Sequence, residues 1–344
     1  MRNRVYPMTL TALAAMLAIG CSGAEKPAAE PAAPAEAEAA APAPDVAPDV
    51  APEAIPDSEI FTATLSMDGG APSIGALRNA TDHEGYDNQP SFLPGEAAFY
   101  FVREGETGKT DIWLHDLSRQ ANVPVYSSPA VSEYSPKRAP DGLHVSYIQE
   151  NEAGDVTRVH WRLIDGSDEG AAVADFAPLG YYAWIEDGAG LVVYYRSEPG
   201  SLHRVDIASG ATMKLHDNIG RALVADKAGA HVWFTEAPPV DPNAAEDAPP
   251  SGPFKIMRYD VASGAIEPVV DLPGAAQDFA VIFDETGAPA GIFSVDGGTL
   301  YFRGAAADIL WAPVGDLAGI ANPTRIAVSD DLKWIAIVGE KPAD

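Results

Sequence analysis

Two segments of this chain repeat one another. Tyr86-Asp87-Asn88-Gln89-Pro90-Ser91-Phe92-Leu93-Pro94-Gly95 and Glu133-Tyr134-Ser135-Pro136-Lys137-Arg138-Ala139-Pro140-Asp141-Gly142 carry proline at matching places and end on Pro-Gly or Pro-Asp-Gly, and alternating apolar residues follow both. A whole supersecondary unit therefore recurs at a period of roughly 45 residues, the interval at which propeller blades repeat.

The rest of the chain keeps that rhythm. Ala97-Ala98-Phe99-Tyr100-Phe101-Val102 reads as a buried strand, Arg103 to Thr110 as a turn, and Asp111 to Leu117 as an alternating strand. Leu143 to Gln149 with Thr157 to Leu163, and Gly190 to Tyr195 with Leu202 to Ile207, repeat the pairing, as does His231 to Phe234 with Lys255 to Val261. Asp-x-Ala-Ser-Gly closes both the third and the fourth unit, at Asp206–Gly210 and Asp260–Gly264, and glycine there supplies the positive φ of a hairpin turn. A fifth unit runs from Phe279 to Leu317, with Ala290 to Phe293, Thr299 to Phe302 and Ile309 to Trp311 as strands. The sixth holds only inner strands, Arg325 to Val328 and Trp334 to Val338. Ser58 to Leu65 has the character of the missing outer strand, so the N-terminal strand is expected to complete the last blade and clamp the ring. The expected fold is all-β, a six-bladed β-propeller over residues 58–344.

Ahead of it, Arg2, Arg4 and the apolar stretch Met8 to Ile19, about a dozen residues, read as an export signal too short to span a bilayer. The signal peptide covers 1–20. Leu17-Ala18-Ile19-Gly20-Cys21 resembles a bacterial lipobox, which implies acylation of Cys21, and Ser22 after it implies forwarding to the outer membrane. Residues 21–57, almost entirely Ala, Pro and Glu, form the lipidated linker, with too few large apolar groups to offset the entropy of ordering: a disordered tether. Cys21 is the single cysteine, so the mature chain has no disulfide, thiolate metal site or cysteine nucleophile. A net charge of −28 without a Lys/Arg cluster argues against nucleic acid.

Asp87 to Gly95, Asp111-Ile112-Trp113, Ser132 to Pro136 and Pro140-Asp141-Gly142 together resemble the repeats of TolB-like, WD-repeat-like six-bladed propellers. The first two units carry the likeness; units three to six lack the Pro-Asp-Gly turn and match in strand rhythm. The resemblance implies a periplasmic binding or scaffold role without a shared catalytic set.

In a propeller the innermost strand of each blade starts at the funnel of the central channel, so residues around those starts converge. They are Asp82, His83, Tyr86, Asp87, Asn88 and Gln89; Glu133 and Tyr134; Tyr181, Tyr182 and Trp184; Arg221; Gln277 and Asp278; Asn322 and Arg325. This mixed aromatic and polar set suits a peptide or small polar ligand. Gly105 to Thr110 is a hairpin turn and not a phosphate loop, since no helix follows it. The seven histidines show no zinc spacing and no Gly-x-Ser-x-Gly elbow occurs. No metal and no cofactor are expected. The expected function is non-catalytic binding of an envelope protein, peptide or small polar ligand by a monomer held at the membrane through Cys21. The alternative is a hydrolase with its site at the funnel.

Overall fold

The structure, a computed structural model, describes residues 57–239, 252–306 and 309–342. The signal segment, Cys21, nearly all of the tether, and most of the Pro-rich insertion between Thr235 and Phe254 lie outside the described residues.

Six antiparallel sheets follow one another around a ring. Blades 1 to 5 occupy residues 87–126, 133–172, 179–217, 219–271 and 279–316, each four strands in chain order. Blade 6 takes its two inner strands from Ala321–Val328 and Trp334–Glu340 and its outer two from Glu59–Asp68 and Ala71–Ile74. The junction is in register through Glu59↔Gly339, Phe61↔Ile337 and Thr64↔Trp334. The expected closure by the N-terminal strand is what the chain forms.

Hydrophobic pattern explains the stacking. The second strand of each blade is sandwiched between neighbouring sheets and is apolar on both faces: Phe99, Phe101 and Val102 are fully buried, as are Ile335, Ile337 and Val338. The third strand alternates, as in Thr110–Asp116. Six buried clusters result, one in each space between consecutive blades, and the cluster of Ile60, Phe99, Phe101, Ala336 and Val338 joins blade 6 to blade 1. Burying one such aromatic or aliphatic side chain stabilises the fold by about 1.5–3 kcal/mol, which is why the ring closes rather than leaving two faces wet.

Outer strands face solvent, and in three of them a proline, Pro124, Pro268 or Pro313, sits where the register shifts against the third strand. A proline without an N–H, placed at a bulge, blunts a sheet edge that would otherwise pair with another chain. The fifth blade departs from the sequence expectation here. Ile309 to Trp311 forms no strand; the outer strand is Ala312–Asp316, and the Trp311 indole instead donates to the Asp271 carbonyl of blade 4 at 2.9 Å.

Inner strands are the elements that build the channel. They are Asp87–Phe92, Glu133–Arg138, Leu179–Ile185, Ile219–Ala225, Phe279–Phe283 and Ala321–Val328. All but the fifth break register near their start, at Asn88/Ser91, Tyr134/Lys137, Leu179/Tyr181, Ile219/Leu223 and Ala321/Arg325. Gln89, Ser135 and Asn322 take positive φ at these bulges. A bulge bends its strand and re-aims the side chains beside it, and this recurring irregularity turns polar residues toward the axis.

Candidate functional site

The central channel encloses about 750 Å³. Its lining draws on six blades: Gln89 from the first, Lys137 from the second, Tyr181 and Tyr182 from the third, Arg221 from the fourth, Asp278 just before the fifth, and Arg325 from the sixth. Arg221 also lines a second cavity of about 600 Å³ with Gln277, Asn322 and Thr324.

Arg325 anchors the group. Its Nη2 donates to the Tyr181 hydroxyl at 2.7 Å, its guanidinium lies 5.1 Å from that ring's centre, and its Nη1 is 3.9 Å from Asp278 Oδ2. Arg221 Nε approaches the same oxygen at 3.4 Å while its Nη2 donates to the Thr324 carbonyl at 3.1 Å. Asp278 Oδ1 accepts from the Phe279 amide at 3.2 Å. Oδ2 is buried without a hydrogen-bond partner, as is Arg221 Nε. Lys137 carries its ammonium 5.7 Å over the Tyr182 ring. Gln89 bridges blades 1 and 2: its Oε1 accepts from the Ser135 amide, and its Nε2 donates to the Tyr86 hydroxyl at 3.4 Å.

Burial sets the electrostatics. Desolvation, aided by the nearby Arg325 charge and opposed by Asp278, lowers the Lys137 pKa to about 8. Desolvation raises Tyr86 to about 12, with Arg325 and Arg221 pulling the other way. Burial works against the Arg325 charge, yet Tyr181, Asp278 and Tyr86 outweigh it and hold the guanidinium above its ordinary range.

The sequence candidates divide into three groups. Gln89, Tyr182, Arg221, Asp278 and Arg325 line the channel, and Tyr86 stands beside it. Asn322 lies in the second cavity and donates to Glu340 Oε2 at 3.0 Å. Asp87, Asn88 and Glu133 are buried and turn between blades. Asp87 holds Arg103 through two contacts, 2.8 and 2.7 Å, Asn88 donates to the Ser58 hydroxyl at 3.2 Å, and the Asp87 amide donates to the Ser58 carbonyl at 2.8 Å. These two residues therefore fasten the N-terminal strand. Glu133 accepts from Tyr126 at 3.0 Å and from Gln149 at 3.4 Å, and Tyr134 packs on the cluster between blades 2 and 3. Lys137 was not among the sequence candidates. Its signal is the internal repeat, in which Lys137 follows Pro136 as Ser91 follows Pro90, the first position past the bulge.

No histidine lines the channel among the described residues. A Ser–His contact does occur, Ser201 Oγ to His203 Nε2 at 3.0 Å, on the third strand of blade 3 with Ser201 only 2% exposed and His203 against Phe176 and Tyr195. Among the described residues no three His, Cys, Asp or Glu side chains gather into a metal-holding group.

No family model and no curated protein sequence matches the chain. Solved structures do. The Agrobacterium tumefaciens protein assigned as TolB superposes with a TM-score of 0.61 at 15% identity, over 84% of this chain and 100% of that one. TolB from Acinetobacter baumannii gives 0.50 at 12% identity, over 84% of this chain and 65% of that one. The gluconolactonase XC5397 from Xanthomonas campestris gives 0.54 at 10% identity, over 85% and 99%. At these identities the likeness is one of architecture alone, and it agrees with the ring of blades: the described chain has the fold of a TolB-like six-bladed β-propeller.

Proposed function

We propose that this protein is a non-catalytic binding propeller of the cell envelope, facing the periplasm from a lipid on Cys21 and recognising an envelope protein, a peptide or a small polar ligand at the channel mouth. The observation that supports this most is the channel lining, where the aromatic and cationic side chains Tyr181, Tyr182, Lys137, Arg221 and Arg325 from several blades meet on one space. The TolB likeness favours binding over chemistry, and the lipobox-like segment favours outer-membrane display. The test is affinity capture from envelope extract on the full-length protein, against Arg221→Gln and Tyr181→Ala variants. A specific partner or ligand lost from both variants is expected; identical capture by all three would remove the channel from the reading.

The hydrolase reading rests on the gluconolactonase likeness and the Ser201–His203 contact. That contact lies away from the channel lining, and the buried Ser201 hydroxyl has no approach for a substrate. Turnover of esters or lactones that is lost in His203→Ala would favour it.

A further inference from the structure

The channel keeps a local charge imbalance that holding the blades together does not explain. Arg221, Arg325 and Lys137 come from the inner strands of blades 4, 6 and 2, and the carboxylate among them is Asp278. The other carboxylates lining the cavity, Glu96, Asp187, Asp226 and Asp330, sit in the turns after the inner strands, toward the opposite mouth. Three of them have partners there: Glu96 pairs with Arg138 at 3.2 Å, Asp226 with His231 at 2.8 Å and Asp330 with Lys227 at 3.5 Å. Three cations against one carboxylate thus gather in a chain of net charge −28.

Burying cations is costly unless they are paired and hydrogen-bonded. Here the pairing is incomplete. Asp278 lies within ion-pair reach of both arginines, yet its Oδ2 takes no hydrogen bond from either, and Arg221 Nε donates to nothing. Lys137 has the Tyr182 ring face and, among the described residues, no ion-pair partner. Donors that converge on one space with unused capacity form a receptor for oxygen anions, since charge-assisted bonds to such groups are the strong ones.

We propose that the part of the channel bounded by Lys137, Arg221 and Arg325 binds a small molecule bearing an oxyanion, carboxylate or phosphate, with the Tyr86 and Tyr181 rings flanking its body. This deepens the binding reading above and rests on it. The cavity is large enough for a metabolite-sized ligand. Lys137 makes the site pH-dependent. The groups facing it are Arg325, which keeps its charge, Asp278, and Tyr182, whose phenol burial keeps neutral. Lys137 therefore loses its own proton as pH rises through about 8, and affinity falls with it.

The test is isothermal titration of the full-length protein with citrate, with inorganic phosphate and with uncharged glycerol, at about pH 7 and about pH 9.5. Saturable binding of citrate or phosphate and none of glycerol is expected, weaker at the higher pH; the citrate and phosphate arms tell a carboxylate site from a phosphate site. Lys137→Met, which keeps the aliphatic stem and breaks no hydrogen bond, is expected to weaken binding about tenfold and flatten the pH dependence. Lys214→Met, on the exposed edge of blade 3, is expected to change neither. Binding weaker than about 10 mM for both anions, or wild-type affinity in folded Lys137→Met and Arg221→Gln, overturns the proposal. If affinity capture still depends on Arg221 and Tyr181 in that case, the oxyanion site falls and the binding propeller stands; if both fail, both fall.

Discussion

Glu133 opens the inner strand of blade 2 with no solvent exposure, and burial raises its pKa to about 7 despite the hydroxyl and amide groups that hydrogen-bond it. Its Oε2 accepts no hydrogen bond. In the unfolded chain the carboxyl returns to 4.5, so between these values the folded state binds more protons than the unfolded one. Stability contributed by the protonated form is fully present below the unfolded value and is lost as pH rises through about 7. Glu133→Gln, which keeps the shape and removes the charge, is expected to raise stability at about pH 8, by at most about 3 kcal/mol, and to leave it nearly unchanged at about pH 4. Thermal melts at the two values decide it; an equal change at both would mean that the carboxyl carries no linked proton. The sequence singled out Glu133 by its place in the repeat, and that place is real. Whether the side chain faces the axis or the neighbouring blade is set by a bulge one residue later, which periodicity does not encode.

At the scale of elements, the turns differ in what they tolerate. Asp206 Oδ1 accepts from the Ser209 amide and hydroxyl at 2.8 and 2.5 Å, and Asp260 repeats the arrangement with Ser263 at 2.7 Å for both, so the duplicated Asp-x-Ala-Ser-Gly is a duplicated hydrogen-bonded turn. Gly210 closes it at φ +69 with open space around it. Gly229, in the turn after the inner strand of blade 4, has a similar φ of +63 but abuts the backbone of blade 3, where an added Cβ would lie 2.7 Å from the Ile185 Cα. Gly210→Ala is therefore expected to cost about 1 kcal/mol, the conformational term alone. Gly229→Ala is expected to cost about 3 kcal/mol or more, because rigid main chain must shift. Urea denaturation of the two variants measures the difference, and equal costs would show that the blades do not meet closely there. The Asp-x-Ala-Ser-Gly turns and the strand pairs were legible because they are local chemistry. The fifth blade's outer strand was misplaced by a few residues because Ile309 to Trp311 is apolar enough to read as strand, while Trp311 is drawn to a carbonyl of another blade.

For the whole molecule, stability depends on one seam. Glu59–Asp68 lies against Trp334–Glu340, and Phe61 is buried between blades 5 and 6 while Ile60 is buried between blades 6 and 1. Phe61→Ala is expected to cost about 3–5 kcal/mol, against less than about 0.5 kcal/mol for Met213→Ala on an exposed edge. Hydrogen exchange is the sharper readout. Amides of Trp334–Glu340 should lose protection in Phe61→Ala before those of Ala98–Glu104 do, because opening the seam frees a sheet edge without unstacking the other blades. Uniform loss of protection around the ring would show instead that the blades open together.

The architecture was written along the chain because a blade is a local object: its strands follow one another, its turns have their own residue chemistry, and repetition at a fixed interval leaves few ways to bury the apolar faces. Even the closure could be read, since the last unit lacked outer strands that the N-terminal segment supplied. The make-up of the channel was decided by tertiary structure. Lys137, Arg221, Asp278 and Arg325 are far apart in sequence and meet only because bulged inner strands from different blades share one axis. Charge summed along the chain describes an acidic protein, whereas at the inner-strand end of the channel three cations meet around Asp278, and only the fold brings them together.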